Sequence, residues 1–591
     1  MISPALRERF ATAAALESQG RFAEAETCCR QIVAEAPHFH PAWHALGLLL
    51  FRAGKLPEAV NCLESAIAGD GQVALYHSNL GELYRRQGQP ERAVAAGLEA
   101  TRLAPGQRDA HYNLGLAYGD AGAHEQAAAS YRRALEIAPD HALSWNNLGA
   151  TLERLRDQDA ALAAYEKAAA LDPRHAIARN NLGVLYLEKK QSGAARQALA
   201  AANGEYHQQG IEHYRAGRFA AAMECYERAL AIQAEQPAVL NSKGFLLQDL
   251  GFLDEAQACF AQAVDLDPDM AMPRLNLGML QLKRGDWAAG WENYEARWTG
   301  SAEAANGTLN CPDSPLPQWT GQGETAGKRL LLISEQGFGD VMQFSRYLPL
   351  ATERFAKVGF ACAPPLQRLL EWSFGDRVAF FTRLPADNDA WDWQYPLLSL
   401  PRAFGTRPDT VPRTVPYLRV LPPAQDYWRE RLERAAPGRP RIGIAWAGRK
   451  AHQADARRSL KFERLRPLLE NRNVTWVSLQ KWAPEDERPA IPDGVDWLDW
   501  TDELNDFADS AALAANLDLV ITIDSAVVHL AGALNRPVWM LNRFDGEWRW
   551  LHRRADSPWY PSLRIFNQSS FGDWDGVLAD VSQALAARFP A

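Results

Sequence analysis

The sequence predicts a multidomain chain: an all-α repeat solenoid followed by an α/β region made of two Rossmann-like halves. Three observations lead to this prediction. Glycine recurs every 34 residues through the first half, apolar strands alternate with helices through the second, and 15 of the 20 tryptophans follow residue 298. With 591 residues, 47% of them hydrophobic, the chain is long enough for several domains, and its net charge of −9 argues against a nucleic-acid partner.

A repeat with a constant spacing organises residues 1–300. Glycines stand at positions 47, 81, 115, 149 and 183, and again at 210, 244 and 278, each followed twelve residues later by a small residue. Small side chains let two antiparallel helices approach closely, and a proline near the end of several units stops the second helix. The units, such as residues 144–173, resemble the tetratricopeptide repeat (TPR), and about nine of them are expected.

The spacing is interrupted once. From Gly183 to Gly210 is 27 residues, seven fewer than the period, and the closing turn and proline of one unit are missing around 202–204. We expect a local change of superhelix geometry near residue 203, which would divide the array into six and three repeats.

Asparagine also repeats, two residues before the period glycine. Helix interiors disfavour asparagine, so its recurrence needs an explanation. In TPR arrays this position faces the concave groove, where an amide can donate to a peptide carbonyl and accept from a peptide N–H. The nucleocytoplasmic O-GlcNAc transferases carry a similar ladder for protein substrates. The alternative is that the amides bond neighbouring helices to each other. The residues are Asn79, Asn113, Asn147, Asn181 and Asn276.

Two series of alternating strands and helices are expected after a Pro- and Gly-rich linker over 301–327. The first series covers 328–420, the second covers 441–591, and a connector over 421–440 separates them. Such alternation indicates parallel sheets with crossover helices, and ligands bind at the carboxyl ends of the strands. The predicted strands are 328–334, 358–362, 378–382, 441–447, 474–479, 518–524, 537–541 and 563–566, and the predicted helices are 341–355, 366–374, 462–471, 506–517, 526–534 and 577–589.

Five stretches of the α/β region carry a family pattern. They are EQGFGDVMQFSRYLPL (335–350), GIAWAGR (443–449), RSL (458–460), DLVITIDSAVVHLAGALNRPVW (518–539) and WRWLHRRADSPWYP (548–561). Together they resemble the glycosyltransferase family 9 (heptosyltransferase-like) domain, in the version found behind bacterial TPR arrays. The resemblance implies a GT-B fold, a nucleotide-sugar donor and sugar transfer. With the repeats, the chain resembles bacterial flagellin glycosyltransferases, which modify Ser/Thr with nonulosonic sugars.

Asp340 is the predicted catalytic residue. It follows Gly337 and Gly339, which permit a tight turn and close backbone approach by a ligand, at the start of a helix. The resemblance implies that Asp340 is the general base that deprotonates the acceptor hydroxyl. Without the resemblance, Asp340 reads as a helix cap. Gln343 and Tyr347, on the same helix face, are expected on the acceptor side, and core packing explains Tyr347 equally well.

The donor is expected between a second strand end and a basic loop. Asp524 would hold sugar hydroxyls, and Ser525 would hold phosphate at the start of the helix that contains His529. His529 is either a further contact to the nucleotide-sugar donor or a buried structural imidazole. For Asp524 and Ser525, the alternative is that they only cap the helix. Cations of the loop would stabilise the leaving nucleotide without a metal, unless the loop is only solvated. The loop residues are Arg449, Lys450, Arg457, Arg458, Ser459 and Lys461, of which Arg458 and Ser459 match the RS motif.

Neither a metal nor a cofactor is expected. Asp387 and Asp389 have the spacing of a metal-binding DxD motif, but that motif belongs to a different architecture, and there is no His/Cys cluster. The seven cysteines include no CxxC pair and suit reduced thiols. Three tryptophans, Trp548, Trp550 and Trp559, form either a stacking wall for base or sugar or part of the core.

The sequence thus predicts a cytoplasmic protein O-glycosyltransferase whose donor is a nucleotide sugar and whose acceptor is a protein, flagellin by resemblance. No secretory signal and no membrane span are expected. Two other functions stay open: transfer to lipopolysaccharide or another surface glycan, and a non-catalytic TPR scaffold with a degenerate transferase domain.

Overall fold

A computed structural model describes residues 3–301, 304, 314–448, 455–482 and 488–590 of the chain. It contains two compact units, Met1–Ala234 and Glu235–Ala591. The first unit is all-helical, and the second begins with helices and continues into an α/β region with two parallel sheets. The predicted fold class, a TPR solenoid followed by an α/β region, is confirmed.

Thirteen helices form the described part of the first unit, and one of them is much longer than the others. They are Pro4–Ser18, Phe22–Glu35, His40–Arg52, Leu56–Gly69, Ala74–Arg86, Pro90–Leu103, Arg108–Asp120, His124–Ile137, Ala142–Arg154, Gln158–Leu171, Ala176–Glu188, Ser192–Arg215 and Phe219–Ile232. The period glycines lie where the two helices of a repeat come closest. A Cβ on Gly149 would lie 2.7 Å from the Tyr165 ring, and Ala161, twelve residues after this glycine, is fully buried. The small residues therefore have the packing role that the period predicts.

One continuous helix of 24 residues, Ser192–Arg215, spans the interrupted unit. The closing turn is absent there, as predicted, and Gly204 lies inside the helix with no atom within 4 Å of a Cβ placed on it. The buried Asn203 donates through Nδ2 to the carbonyl of Ala229 at 2.7 Å, which ties this helix to the following one. The two compact units divide after Ala234.

The second unit begins with two helix pairs and a short helix, followed by the helices of the α/β region. None of the helices in the described part of the chain is long and apolar enough to cross a membrane. In this unit the helices are Pro237–Leu250, Leu253–Leu266, Ala271–Arg284, Trp287–Tyr294, Arg297–Gly300, Phe338–Phe344, Leu348–Arg354, Pro364–Phe374, Leu400–Ala403, Pro422–Ala435, Asp455–Arg458, Arg466–Leu469, Phe507–Ala514, Ala526–Ala533 and Trp574–Arg588.

Both sheets of the α/β region are parallel, and their inner strands are nearly continuous apolar runs, as expected for sheets covered on both faces. The strands are β1 Arg329–Ile333, β2 Lys357–Ala361, β3 Val378–Phe381, β4 Trp393–Pro396, β5 Arg441–Ala445, β6 Thr475–Ser478, β7 Trp497–Leu498, β8 Leu519–Ile523, β9 Val538–Asn542 and β10 Leu563–Asn567. The first sheet has the strand order β3-β2-β1-β4, and the second has the order β10-β9-β8-β5-β6-β7.

The α/β region differs from the prediction in a few elements. The strands β4 and β7 were not predicted, and the predicted connector 421–440 contains the helix Pro422–Ala435. Proline is compatible with the first turn of a helix because its missing N–H would have no partner there. The predicted helix 341–355 is interrupted by a 3-10 turn, and the segment 462–471 forms a 3-10 turn followed by one short helix.

The last repeat and the α/β region share one hydrophobic core. Trp287 stacks on Trp559 with a centroid distance of 5.0 Å, and Trp291 meets Trp548 edge-on at 5.4 Å. The indole of Trp291 also donates to the carbonyl of Thr406 at 3.0 Å. Such aromatic pairs add about 0.5–1.5 kcal/mol each beyond the area that they bury. The last repeat is therefore an integral part of the second unit.

Candidate functional site

Asp340 lies in the first turn of the helix Phe338–Phe344, which follows β1. Its Oδ2 accepts a hydrogen bond from the backbone N–H of Gly337 at 2.9 Å, and its Oδ1 accepts one from Nη2 of Arg549. The side chain is 17% exposed. The capping interaction that sequence allows is thus present, and the same carboxylate reaches the half of the α/β region that holds the second sheet.

Arg549 belongs to the 3-10 turn Trp548–Trp550, in the loop after β9, and its side chain is nearly buried. Its Nη1 donates to Oε2 of Glu547 at 2.6 Å, and its guanidinium lies 4.4 Å from the centre of the Trp548 ring. Burial lowers the pKa of Arg549, but the carboxylates of Asp340 and Glu547 outweigh burial and raise it. The guanidinium is therefore a permanent positive charge between two carboxylates.

The two halves come into close contact at Gly339. A Cβ on this residue would lie 2.7 Å from Cδ2 of His529 and 3.5 Å from Cα of Ala526, so the neighbour that requires glycine here is the helix Ala526–Ala533. His529 is buried, and its Nδ1 lies 2.9 Å from the hydroxyl oxygen of Tyr560. Burial lowers the pKa of His529 well below its usual value, so the imidazole is neutral. Of its two predicted roles, these contacts favour the buried imidazole.

Ser525 and Arg458 meet at the carboxyl end of β8. The hydroxyl of Ser525 accepts a hydrogen bond from the N–H of Val527 at 3.3 Å and so caps the helix Ala526–Ala533. Nη1 of Arg458 donates to the carbonyl of Asp524 at 3.1 Å. Because β5 and β8 are neighbouring strands, the loop after one lies beside the end of the other. The predicted cation and the predicted helix start are therefore adjacent.

Two other predicted donor residues lie differently. The hydroxyl of Ser459 accepts from the N–H of Gly448 at 2.9 Å and donates to Oδ1 of Asp455 at 2.7 Å, so it holds its own loop together. Lys461 is exposed at the start of a 3-10 turn. The structure therefore brings Arg458 to the strand end and leaves Lys461 exposed to solvent.

Arg457 connects the basic loop to the adjoining repeats. Its Nη1 lies 2.8 Å from Oδ2 of Asp249 and 3.0 Å from Oδ2 of Asp545. The buried Lys283 donates to the carbonyl of Asp545 at 3.1 Å. Burial lowers the pKa of Lys283 to about 8, although Asp545 acts in the opposite direction. Outside the described residues lie Arg449 and Lys450.

Asp524 is half-buried beside a second carboxylate. Burial raises its pKa to about 6, the negative charge of Glu547 adds to this effect, and Arg543 and Arg549 oppose it. A carboxyl group that titrates near neutral pH is typical of functional sites. This position is compatible with the predicted contact to sugar hydroxyls, for which both protonation states can hydrogen-bond.

The predicted acceptor-side residues are buried. Neither amide atom of Gln343 has a hydrogen-bond partner among the described residues, which costs about 1–3 kcal/mol unless water or a ligand pairs with it. The hydroxyl of Tyr347 donates to Oγ1 of Thr406 at 2.9 Å, so Tyr347 belongs to the core. The same is true of the predicted stacking wall, Trp548, Trp550 and Trp559, all of which are buried.

A buried ion pair ties the last repeat to the loop that leads to Asp340. Nε and Nη2 of Arg297 donate to the two carboxylate oxygens of Glu335 at 2.7 Å and 2.8 Å. Arg297 also donates to Oγ of Ser399 at 2.8 Å and to Oε1 of Glu295 at 2.6 Å. Because Glu335 follows β1 closely, this network fixes the start of the loop.

Each predicted groove asparagine pairs with a side chain 35 residues earlier, in the preceding repeat. The pairs are Asn79 with His44 at 2.8 Å, Asn113 with Ser78 at 3.0 Å, Asn147 with Tyr112 at 3.1 Å, Asn181 with Asn146 at 3.2 Å and Asn276 with Asn241 at 2.8 Å. In every pair the asparagine uses Nδ2. Bonding between repeats, the alternative role, therefore uses one N–H of each amide. The amide oxygen of Asn147 also accepts a hydrogen bond from Nδ2 of Asn146 at 3.1 Å.

Among the residues that the structure describes, no group of three or more His, Cys, Asp or Glu side chains is arranged so that it could hold a metal ion. Asp387 and Asp389 lie at an exposed 3-10 turn.

Sequence reasoning missed Arg549, which lies in the stretch 548–561, and Glu547, which directly precedes that stretch. A signal was present, because these charged residues follow an apolar strand at the position where parallel sheets place their ligand loops. Arg543, in the same loop, was missed as well. Its Nε and Nη1 are buried and make no hydrogen bond with a described residue, and its Nε lies 3.4 Å from Oδ1 of Asp545.

Comparison with known proteins supports both parts of the chain. Tetratricopeptide repeat patterns match 44–108, 109–141, 142–175, 164–197, 206–236 and 241–306. The pattern of glycosyltransferase family 9 (heptosyltransferase) matches 503–542, which includes Asp524, Ser525 and His529 but not Asp340. The two resemblances predicted from sequence are confirmed.

Protein FlbA of Caulobacter vibrioides is 28% identical over 395 residues, which cover 62% of this chain and 64% of that protein. The match thus spans less than two thirds of that relative. Among solved structures, MamA (22% identity, 27% of this chain, 94% of that chain) has a TM-score of 0.26. YrrB, a TPR protein with an unusual peptide-binding site, has a TM-score of 0.27 at 20% identity, over 29% of this chain and 88% of that one. A TPR protein from Parabacteroides merdae has a TM-score of 0.30 at 17% identity, over 47% and 100%. These scores are too low for residue equivalences.

Proposed function

We propose that this protein is a glycosyltransferase that moves a sugar from a nucleotide-activated donor to a Ser or Thr hydroxyl of a protein. One observation carries the proposal: Asp340 from the first half pairs with Arg549 from the second. Close to this pair, Gly339 contacts Ala526, which begins the helix after Asp524. Arg458 donates a hydrogen bond to the carbonyl of Asp524. A carboxylate, a helix start and cations thus meet where strands of both sheets end.

The proposed reaction uses these groups in one step. Asp340 takes the proton of the acceptor hydroxyl while the oxygen of that hydroxyl attacks the anomeric carbon of the donor sugar. The bond between that carbon and the phosphate oxygen breaks, and the nucleotide leaves with the electron pair. Arg458 and the first N–H groups of the helix Ala526–Ala533 stabilise the negative charge on the phosphate. Asp524 orients the sugar through its hydroxyls, and we assign the donor to the half 441–591.

The repeats of the first unit are the proposed binding surface for a protein acceptor. Residues four apart share a helix face, so the exposed Leu75 and Ile177 stand one turn before Asn79 and Asn181. The aliphatic side chains would contact apolar side chains of the acceptor, and the amide oxygens would accept from its backbone N–H groups. Flagellin is the first acceptor to test because of the sequence resemblance, and we place the reaction in the cytoplasm.

Co-expression of flagellin with this protein tests the proposal. Intact-mass spectrometry should show flagellin heavier by one or more sugar residues only when the protein is present. Unmodified flagellin, together with altered mobility of a surface glycan in a deletion strain, would instead favour transfer to lipopolysaccharide or another glycan. A purified chain that binds neither CMP nor UDP in titration calorimetry would favour the non-catalytic scaffold.

A further inference from the structure

Arg549 joins the proposed base to the proposed donor side of the site. It donates to Asp340 through Nη2 and to Glu547 through Nη1, and its buried Nε makes no hydrogen bond with a described residue. The ring of the next residue, Trp550, stacks on the ring of His529 in the helix that follows β8, with a centroid distance of 5.3 Å, which places Arg549 near that helix. The guanidinium therefore stands between Asp340 and the expected position of the donor phosphate.

Both carboxylate oxygens of Asp340 are engaged in this structure, Oδ2 by the N–H of Gly337 and Oδ1 by Arg549. A general base must receive the hydroxyl that it deprotonates within hydrogen-bond distance. An acceptor hydroxyl that binds Oδ1 therefore shares this oxygen with the guanidinium of Arg549. A guanidinium binds phosphate with the same forked geometry that it uses for a carboxylate, so a donor phosphate is the natural replacement partner for Arg549.

We propose that Arg549 is a donor-responsive latch, which the phosphate of the nucleotide sugar draws away from Asp340. The base then becomes free for the acceptor hydroxyl, so the donor binds before the acceptor reacts. The ion pair with Glu547 keeps the guanidinium close during this exchange. This inference rests on the proposed function and adds a donor-binding residue and an order of binding to it.

The latch predicts that loss of the Asp340 carboxylate strengthens donor binding. In Asp340→Asn the guanidinium no longer leaves an ion pair, so the full chain should bind CMP or UDP about fivefold or more tightly than the wild type. The asparagine oxygen can still accept from the N–H of Gly337, which preserves the helix start. Titration calorimetry with both nucleotides measures the change, because their phosphates are shared and their bases differ.

Three further variants test whether the gain depends on Arg549. As a control, Asp556→Asn releases Arg554 from an exposed ion pair in the same half of the α/β region. This variant should leave the affinity for both nucleotides unchanged. Arg549→Gln keeps hydrogen-bonding groups and loses the positive charge, so it should weaken binding. Adding Asp340→Asn to Arg549→Gln should then bring no gain.

Three results would overturn the latch: equal or weaker binding by Asp340→Asn, a gain that persists in the double variant, or no binding of either nucleotide by any variant. The proposed function fails on a separate measurement. If Asp340→Asn still transfers sugar at the wild-type rate, Asp340 is not the base, whatever the affinity of that variant for the nucleotides.

Discussion

Arg297 and Glu335 form a two-bonded ion pair that is almost completely excluded from solvent, with side chains 1% and 0% exposed. Burial lowers the pKa of Arg297, but the carboxylates of Glu335 and Glu295 outweigh burial and raise it. The pair joins the last repeat to the segment that leads from β1 to Asp340. The end of the repeat array is therefore a support of the proposed catalytic loop.

Removal of one partner of this pair should destabilise the second unit strongly. Arg297→Met leaves the Glu335 carboxylate buried and unpaired, which should lower the free energy of unfolding by about 3–5 kcal/mol in urea denaturation. The control Arg284→Met removes an exposed pair with Asp254 on a neighbouring repeat helix and should cost at most about 1 kcal/mol. Equal losses in the two variants would contradict the structural role of Arg297.

The continuous helix Ser192–Arg215 predicts opposite effects of alanine at two glycines. Gly204→Ala should stabilise the first unit by about 0.5–1 kcal/mol, because Gly204 lies inside the helix with open space around it. Gly149→Ala should destabilise it, because the new methyl group would lie 2.7 Å from the Tyr165 ring. Thermal unfolding followed by circular dichroism measures both. A loss of stability in Gly204→Ala would indicate a turn at this position.

The asparagine ladder should contribute to the stability of the repeats themselves. Asn113→Ala removes the hydrogen bond to Ser78 and should cost about 1 kcal/mol of unfolding free energy. Ser78→Ala removes the other partner, and the double variant should lose less than the sum of the two single losses. Unchanged stability in Asn113→Ala would mean that the ladder serves ligand binding alone.

The repeats were predictable because their period records a contact between the two helices of a unit, as the pair of Gly149 and Tyr165 illustrates. The strands β4 (WQYP) and β7 (WL) could not be predicted, because these short segments have no apolar period of their own. They form strands only because they pair with their neighbours in the sheet. The helix Pro422–Ala435 was not predicted, because prolines are as typical of a connector as of the first turn of a helix.

The positions of Asp340, Arg458 and Ser525 beside strand ends could be predicted, because each follows or adjoins a strand of a parallel sheet. Their roles in a site stay a prediction. The pairing of Asp340 with Arg549 could not be predicted, because the partners are 209 residues apart and meet only through the contact between the two halves. The burial of His529 and of the three tryptophans likewise depends on that contact.

Asp524 should make the folded protein less stable as the pH rises. Folding raises its pKa from 3.8 to about 6, so the folded state holds the proton more tightly and loses stability as the pH rises through this range. Asp524→Asn has no such group and should be more stable than the wild type at pH 8, by at most about 3 kcal/mol. The difference should shrink at pH 5. The exposed control Asp376→Asn should show no difference at either pH.

The most direct test of the account compares Asp340→Asn with Asp376→Asn, an exposed aspartate of the same half, in flagellin co-expression followed by intact-mass spectrometry. The account predicts that Asp340→Asn reduces the sugar-modified flagellin about a hundredfold or more, since it cannot accept the hydroxyl proton, while Asp376→Asn modifies flagellin like the wild type. Wild-type modification by Asp340→Asn would contradict the central claim.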